Sequence, residues 1–150
     1  MPTSSFCIDD SIVQRLSMAS LAMRNCRSQL YKDRYNLNIA GWQILVRVYE
    51  HGPAVQRQLC TLNKIDKVTV SRAVFQLVKR NLLTRVNSNQ DKRSQYLFLT
   101  PYGEELCRRL VFDARELEQQ VFSDMSHTDN HLLGRLLDQT QMTASRLTTI

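Results

Sequence analysis

Glycine is scarce in this sequence, four in 150 residues, and none clusters into the Gly-rich loop that would cradle a phosphate. The histidines His51, His127 and His131 lie away from any Ser or Cys motif of nucleophilic catalysis, and no pair of carboxylates is set up for acid–base work. The four cysteines, Cys7, Cys26, Cys60 and Cys107, form no CxxC pair and have no His at metal-ligand spacing. No apolar run could span a bilayer, no signal peptide stands at the N-terminus, and there is neither an internal repeat nor a low-complexity stretch. These absences argue against an enzyme, a zinc protein, a disulfide scaffold and a membrane protein. The expectation is a cytoplasmic protein with no cofactor.

A hydrophobic content of 43% is ample for a packed core, and 23% charged residues is too few for a disordered chain. The net charge of +6 is unevenly spread. Nine of the 20 Lys and Arg fall in residues 56–93, opposed only by Asp66 and Asp91, so this segment carries +7 and the remainder −1. A basic segment of this kind is the electrostatic footprint of a nucleic-acid binder.

The same segment holds the clearest structural pattern. Val70, Ala73, Val74 and Leu77 recur at helical spacing, and Asp66 stands where a helix cap belongs. The remaining positions include Lys67, Thr69, Ser71, Arg72 and Gln76, side chains of the kind that bind base edges and phosphates. Asn81 can end the helix in the left-handed conformation. Two short runs rich in Val, Leu, Tyr and Phe then flank the polar stretch 87–94, which predicts a hairpin with a basic tip. A helix followed at once by a basic hairpin suits a winged helix-turn-helix, with the helix in the major groove and the tip on the backbone or in the minor groove.

Elsewhere, Ile12, Leu16, Ala19, Met23, Cys26 and Leu30 predict a long amphipathic helix over 10–34, too long to stand alone. Asn38 caps a predicted helix over 39–50, with Trp42, Leu45 and Val48 or Tyr49 inward, and Gly52-Pro53 ends it. A short helix over 55–62 carries Leu59 and Cys60 inward. Thr100-Pro101 starts another, to about 123, with Leu106, Leu110, Leu117 and Val121 on one stripe. Residues 127–130 read as a turn, and the last helix as 130–147.

Several blocks together resemble the MarR-type (multiple antibiotic resistance regulator) family of transcription factors. They are Leu37-Asn38 before Trp42, then Leu45 and Leu59, Asp66 through Arg72, Leu77, Leu82, Arg85, Asp91-Lys92-Arg93, and Leu99-Thr100-Pro101-Tyr102-Gly103. The resemblance runs from Leu37 to Leu106. It departs at Val55, where the family usually has a Thr or Ser cap, and at Asn81, where it usually has Gly. It implies a mainly α fold with a small β-hairpin wing: an N-terminal arm and dimerisation helix (1–36), a winged helix-turn-helix (37–100) and C-terminal dimerisation helices (101–150). It also implies a homodimer on double-stranded DNA, at a pseudo-palindromic operator, and a repressor released by a small aromatic or phenolic effector.

On this reading the DNA-binding residues are Lys67, Thr69, Ser71, Arg72, Gln76, Arg85, Lys92 and Arg93, and Asp91 supports the wing as its counterpart does in the family. Arg15, Met18, Met23, Trp42 and His51 are candidates for an effector pocket, although Met and aromatic residues at helical spacing are also ordinary core. Cys7 is the redox candidate for the alternative of a peroxide-sensing repressor, with Asp9 and Asp10 beside it opposing a reactive thiolate. Cys26 and Cys60 read as small core residues. Two other classes compete: an architectural DNA binder without sequence preference, and a winged helix that binds protein only.

Overall fold

The Asn38 side chain accepts a hydrogen bond from the Gly41 amide at 2.8 Å, and this cap starts the helix on which the core is built. The computed structural model describes residues 11–87 and 95–148. The elements in chain order are α1 (Ile12–Tyr35), α2 (Ile39–His51), β1 (Ala54–Val55), α3 (Gln56–Asn63), α4 (Lys67–Lys79), β2 (Leu83–Asn87), β3 (Gln95–Leu99), α5 (Pro101–Val121) and α6 (His127–Leu147). The chain divides into two compact units after Phe112, within α5.

In the first unit α2 buries Trp42, Ile44, Leu45 and Val48 against Leu59 of α3 and Val70, Val74 and Leu77 of α4. Each such side chain taken out of water contributes roughly 1.5–3 kcal/mol. Leu82, Leu83 and Leu97 close the core beneath the sheet, and Leu106, Cys107 and Leu110 of α5 enter it as well. Val48 is buried and Tyr49 exposed, which decides between the two inward candidates.

The sheet has three strands in the order β1-β3-β2, all antiparallel, with Leu83 opposite Leu99 and Asn87 opposite Gln95. The sequence pattern predicted only the hairpin. β1 is two residues long and exists because Ala54 and Val55 pair with Leu97 and Tyr96. It makes Val55 the cap of α3, with no side-chain acceptor to offer. Gln58 compensates in part by reaching back to accept from the Val55 amide at 3.1 Å.

Two expectations for the outer helices are corrected. The last helix begins at His127, not at about Asn130, because Ser126 caps it by accepting from the Asp129 amide at 3.1 Å. Cys26 of α1 is exposed rather than part of the core, whereas Cys60 of α3 is half-buried and packs against the core as expected. Within one chain α1 is covered only near its C-terminal end, where Tyr31 is its one buried residue.

The second unit comprises the end of α5 and α6. No residue of α6 is buried, and Leu132, Leu136, Leu137 and Leu147 are exposed. Arg115, Glu118, Phe122, Leu133 and Leu137 are among the residues lining a groove of about 570 Å³ in this unit.

Candidate nucleic-acid interface

Asp66 organises the start of α4. Its carboxylate accepts from the Thr69 amide at 2.9 Å, and the bonds with Thr69 hold the carboxyl below its ordinary range. Four side chains, Val70, Ala73, Val74 and Leu77, then bury one stripe of the helix. Burial of that stripe turns the opposite one outward. Lys67, Thr69, Ser71, Arg72 and Gln76 are all exposed.

At 100° per residue, the direction opposite the buried stripe runs through Val68, Arg72, Phe75 and Lys79, with Ser71 and Gln76 on its flanks. Val68 and Phe75 are each 58% exposed. The sequence pattern by itself singles out neither, because an apolar side chain in a helix ordinarily marks the core. The signal was present in their spacing, which falls out of phase with Val70, Val74 and Leu77.

The α4 C-terminus is held by Asn81 in the left-handed region, with φ 55°. β2 follows directly and carries Arg85, which is exposed beside the helix's end in sequence. At the base of the wing Gln95 Nε2 donates to Asn87 Oδ1 at 3.0 Å. Asp91, Lys92 and Arg93 lie outside the described residues, as does Cys7.

Thr100 and Gly103 join the wing to α5. Thr100 Oγ1 donates to the Asn81 carbonyl at 2.6 Å and accepts from the Gly103 amide at 2.9 Å. Gly103 sits so close to Leu82 that an added Cβ would lie 2.1 Å from the Leu82 carbonyl oxygen. A side chain has no room there, which gives the glycine in this block a physical reason.

The proposed effector residues do not converge within one chain. Trp42 is a core residue, edge-on to Tyr31 with ring centroids 5.5 Å apart and with the Arg27 guanidinium 4.6 Å from its ring centre. Met18 is exposed and Met23 half-buried on α1. Arg15 precedes Tyr31 by 16 residues, about 24 Å of helix axis, so it cannot reach the indole of its own chain. His51 Nε2 accepts instead from Arg47 Nη1, at 3.0 Å on the α2 surface. Trp42 does border a recess of about 240 Å³, whose other walls are Gln43, Val46, Arg47, Glu50, Leu62 and Asn63.

Among the described residues no group of three His, Cys, Asp or Glu could hold a metal, and no helix is long and apolar enough to cross a membrane. Cys107 is fully buried, with Sγ 3.7 Å from the Leu45 carbonyl oxygen, and burial pushes its thiol up to about 12.

A capped helix with one stripe in the core and a mixed cationic and apolar stripe outward, preceded by α3 and followed by a β-hairpin, defines a winged helix-turn-helix. Residues 37–95 match the model of the MarR family. It is 32% identical over 89 residues to an uncharacterised HTH-type transcriptional regulator of Staphylococcus aureus, a match covering 59% of this chain and 61% of that one. The chain thus spans about three-fifths of the length of these staphylococcal relatives. A probable transcriptional regulator from Pseudomonas aeruginosa has a crystal structure that covers 89% of this chain and 99% of its own, at 29% identity and a TM-score of 0.71. A MarR family regulator from Listeria monocytogenes, crystallised with 26mer DNA, is 22% identical over 89% of each chain with a TM-score of 0.74, which bears on the fold alone. All three are described as regulators and none as an enzyme, in keeping with a sequence that carries no catalytic motif.

Proposed function

We propose that this protein is a cytoplasmic, sequence-specific DNA-binding transcriptional regulator that acts as a homodimer on a pseudo-palindromic operator. The observation that carries the reading is the outward stripe of α4. Arg72, Ser71 and Gln76 are exposed on a helix whose other side is locked into the core, within a segment of net charge +7. Lys67 and Thr69 at its start and Arg85, Lys92 and Arg93 in and around the wing complete the contact set, with Asp91 steadying the tip. Support for the second copy comes from apolar residues exposed at both ends of the chain. Ile12 is 83% exposed, Met18 56% and Leu136 50%, apolar side chains that a second copy would take out of water. Residues 1–36 and 101–150 then serve dimerisation, and 37–100 serves DNA.

The regulator is a repressor released by a small aromatic or phenolic ligand. Trp42 Nε1 and Asn63 Nδ2 are buried donors without a partner among the described residues, and both residues border the recess beside Arg47. A ligand bearing acceptor oxygens would satisfy them, and unpaired buried donors cost roughly 1–3 kcal/mol each. Release requires that the ligand bind the conformation unfit for DNA more tightly than the fit one.

The test is anisotropy on duplexes selected from a random library, with the full chain, across a salt series and with a panel of salicylate-like acids. The expected result is a strong preference over random duplex and affinity that falls steeply with salt. Arg72→Ala should cost about 1–3 kcal/mol and relax one base pair per half-site. Equal binding to all duplexes would overturn sequence-specific recognition. Uniform loss in Arg72→Ala would reduce Arg72 to a phosphate clamp.

A further inference from the structure

We infer that Val68 and Phe75 read the C5-methyl groups of two thymines per half-site, on either side of the base pair read by Arg72. The inference deepens the DNA reading and rests on it. Both side chains are 58% exposed, the same stripe carries Arg72, and Val70, Ala73, Val74 and Leu77 occupy the core on the other side. Neither can turn inward without unwinding α4. Arg72 and Lys79 lie on the same stripe, so it is apolar at two points and cationic between and beyond. That mixture fits one surface well. The cations meet phosphates and guanine, and the one apolar feature on the floor of the major groove is the thymine methyl.

The spacing makes the inference specific. Residues 68 and 75 are two turns apart, about 10.5 Å along the helix. Base pairs stack about 3.4 Å apart along each strand, so the two methyls should lie no more than about three steps apart, the limit reached when the helix runs parallel to the duplex axis. Arg72 falls between, four residues after Val68 and three before Phe75. A site read this way has a guanine contact bracketed by two thymine contacts, and its preference at those two positions is for a methyl and not for a hydrogen-bonding pattern.

The experiment uses the full chain and a duplex selected from a random library. Each thymine in turn is replaced by deoxyuracil, which removes the methyl and keeps every hydrogen-bonding group. Affinity is read by fluorescence anisotropy. Deoxyuracil at two positions per half-site, no more than about three steps apart, should weaken binding about fourfold each, the value of one buried methyl group. One of these effects should vanish in Val68→Ala and the other in Phe75→Ala. Both positions are exposed and alanine is a good helix former, and circular dichroism verifies that each variant folds. If deoxyuracil is neutral at every position, or its effects persist in both variants, methyl reading is wrong while sequence-specific binding stands. If selection yields no preferred sequence, the DNA reading falls and takes this inference with it.

Discussion

Arg80 Nη2 donates to the backbone carbonyl of Tyr35 at 2.7 Å, and its Nη1 donates to the neighbouring carbonyl of Asn36 at 2.9 Å. One guanidinium thus serves carbonyls at the C-terminal end of α1, where acceptors lack partners and positive charge is favoured. It also ties the end of the candidate recognition helix to the end of the long first helix. By sequence Arg80 is simply one of nine cations in the basic segment. By position it is a brace.

Arg80→Ala should therefore separate bracing from DNA contact. Loss of a phosphate contact lowers the slope of log affinity against log salt by about 1. The slope for Arg80→Ala should stay at the wild-type value, while urea denaturation shows a loss of about 1 kcal/mol. A reduced slope with unchanged stability would make Arg80 a DNA contact instead.

Gly103→Ala should be among the most damaging single-methyl changes in the chain. The new Cβ would meet the Leu82 carbonyl, which is backbone and cannot swing aside. Overpacking typically costs 1–3 kcal/mol, and about the upper end is expected here. Thr100→Val should cost about 1–3 kcal/mol by a different route, since it strands the Asn81 carbonyl and the Gly103 amide. Thermal unfolding followed by circular dichroism measures both. A Gly103→Ala variant as stable as wild type would show that α5 can move off the wing without penalty.

Acid should loosen the start of α4 before the core gives way. The Asp66 carboxyl is held below its ordinary value of 3.8 by its bonds with Thr69. A carboxyl depressed in the folded state contributes stability above its unfolded value and loses it as pH falls through the folded one. The contribution is thus intact at pH 7 and disappears below about pH 4. Amide exchange at Thr69 should accelerate over that range. In Asp66→Asn, which caps as well without a titrating group, the acceleration should be absent. Identical pH profiles in the two proteins would mean that some other group controls the fraying.

Cys107 should be inert in the native protein. With its thiol pushed up to about 12, its thiolate fraction at pH 8 is about a thousandfold below that of an ordinary free cysteine. Mass spectrometry after iodoacetamide should find Cys107 unmodified until denaturant is added. Rapid native labelling would indicate local opening where α5 packs on Leu45.

What the sequence determined by itself was everything carried by neighbours three or four residues apart. Asp66 caps α4, Asn38 caps α2, Asn81 turns out of α4, and Thr100 precedes the first turn of α5, because each of these acts on amides and carbonyls a few residues away. The buried stripe of Val70, Ala73, Val74 and Leu77 followed from periodicity alone. Tertiary structure decided whatever depends on residues distant in the chain. Ala54 and Val55 become a strand only because Leu97 and Tyr96 arrive beside them. Gly103 is required only because Leu82 lies against it, and Arg80 becomes a brace only because α1 ends within its reach. Val68 and Phe75 lie between the two cases. Helical phase already set them opposite the core, but the packed fold shows them uncovered, because a hydrophobic residue reads alike in sequence whether it is buried or held out to a partner.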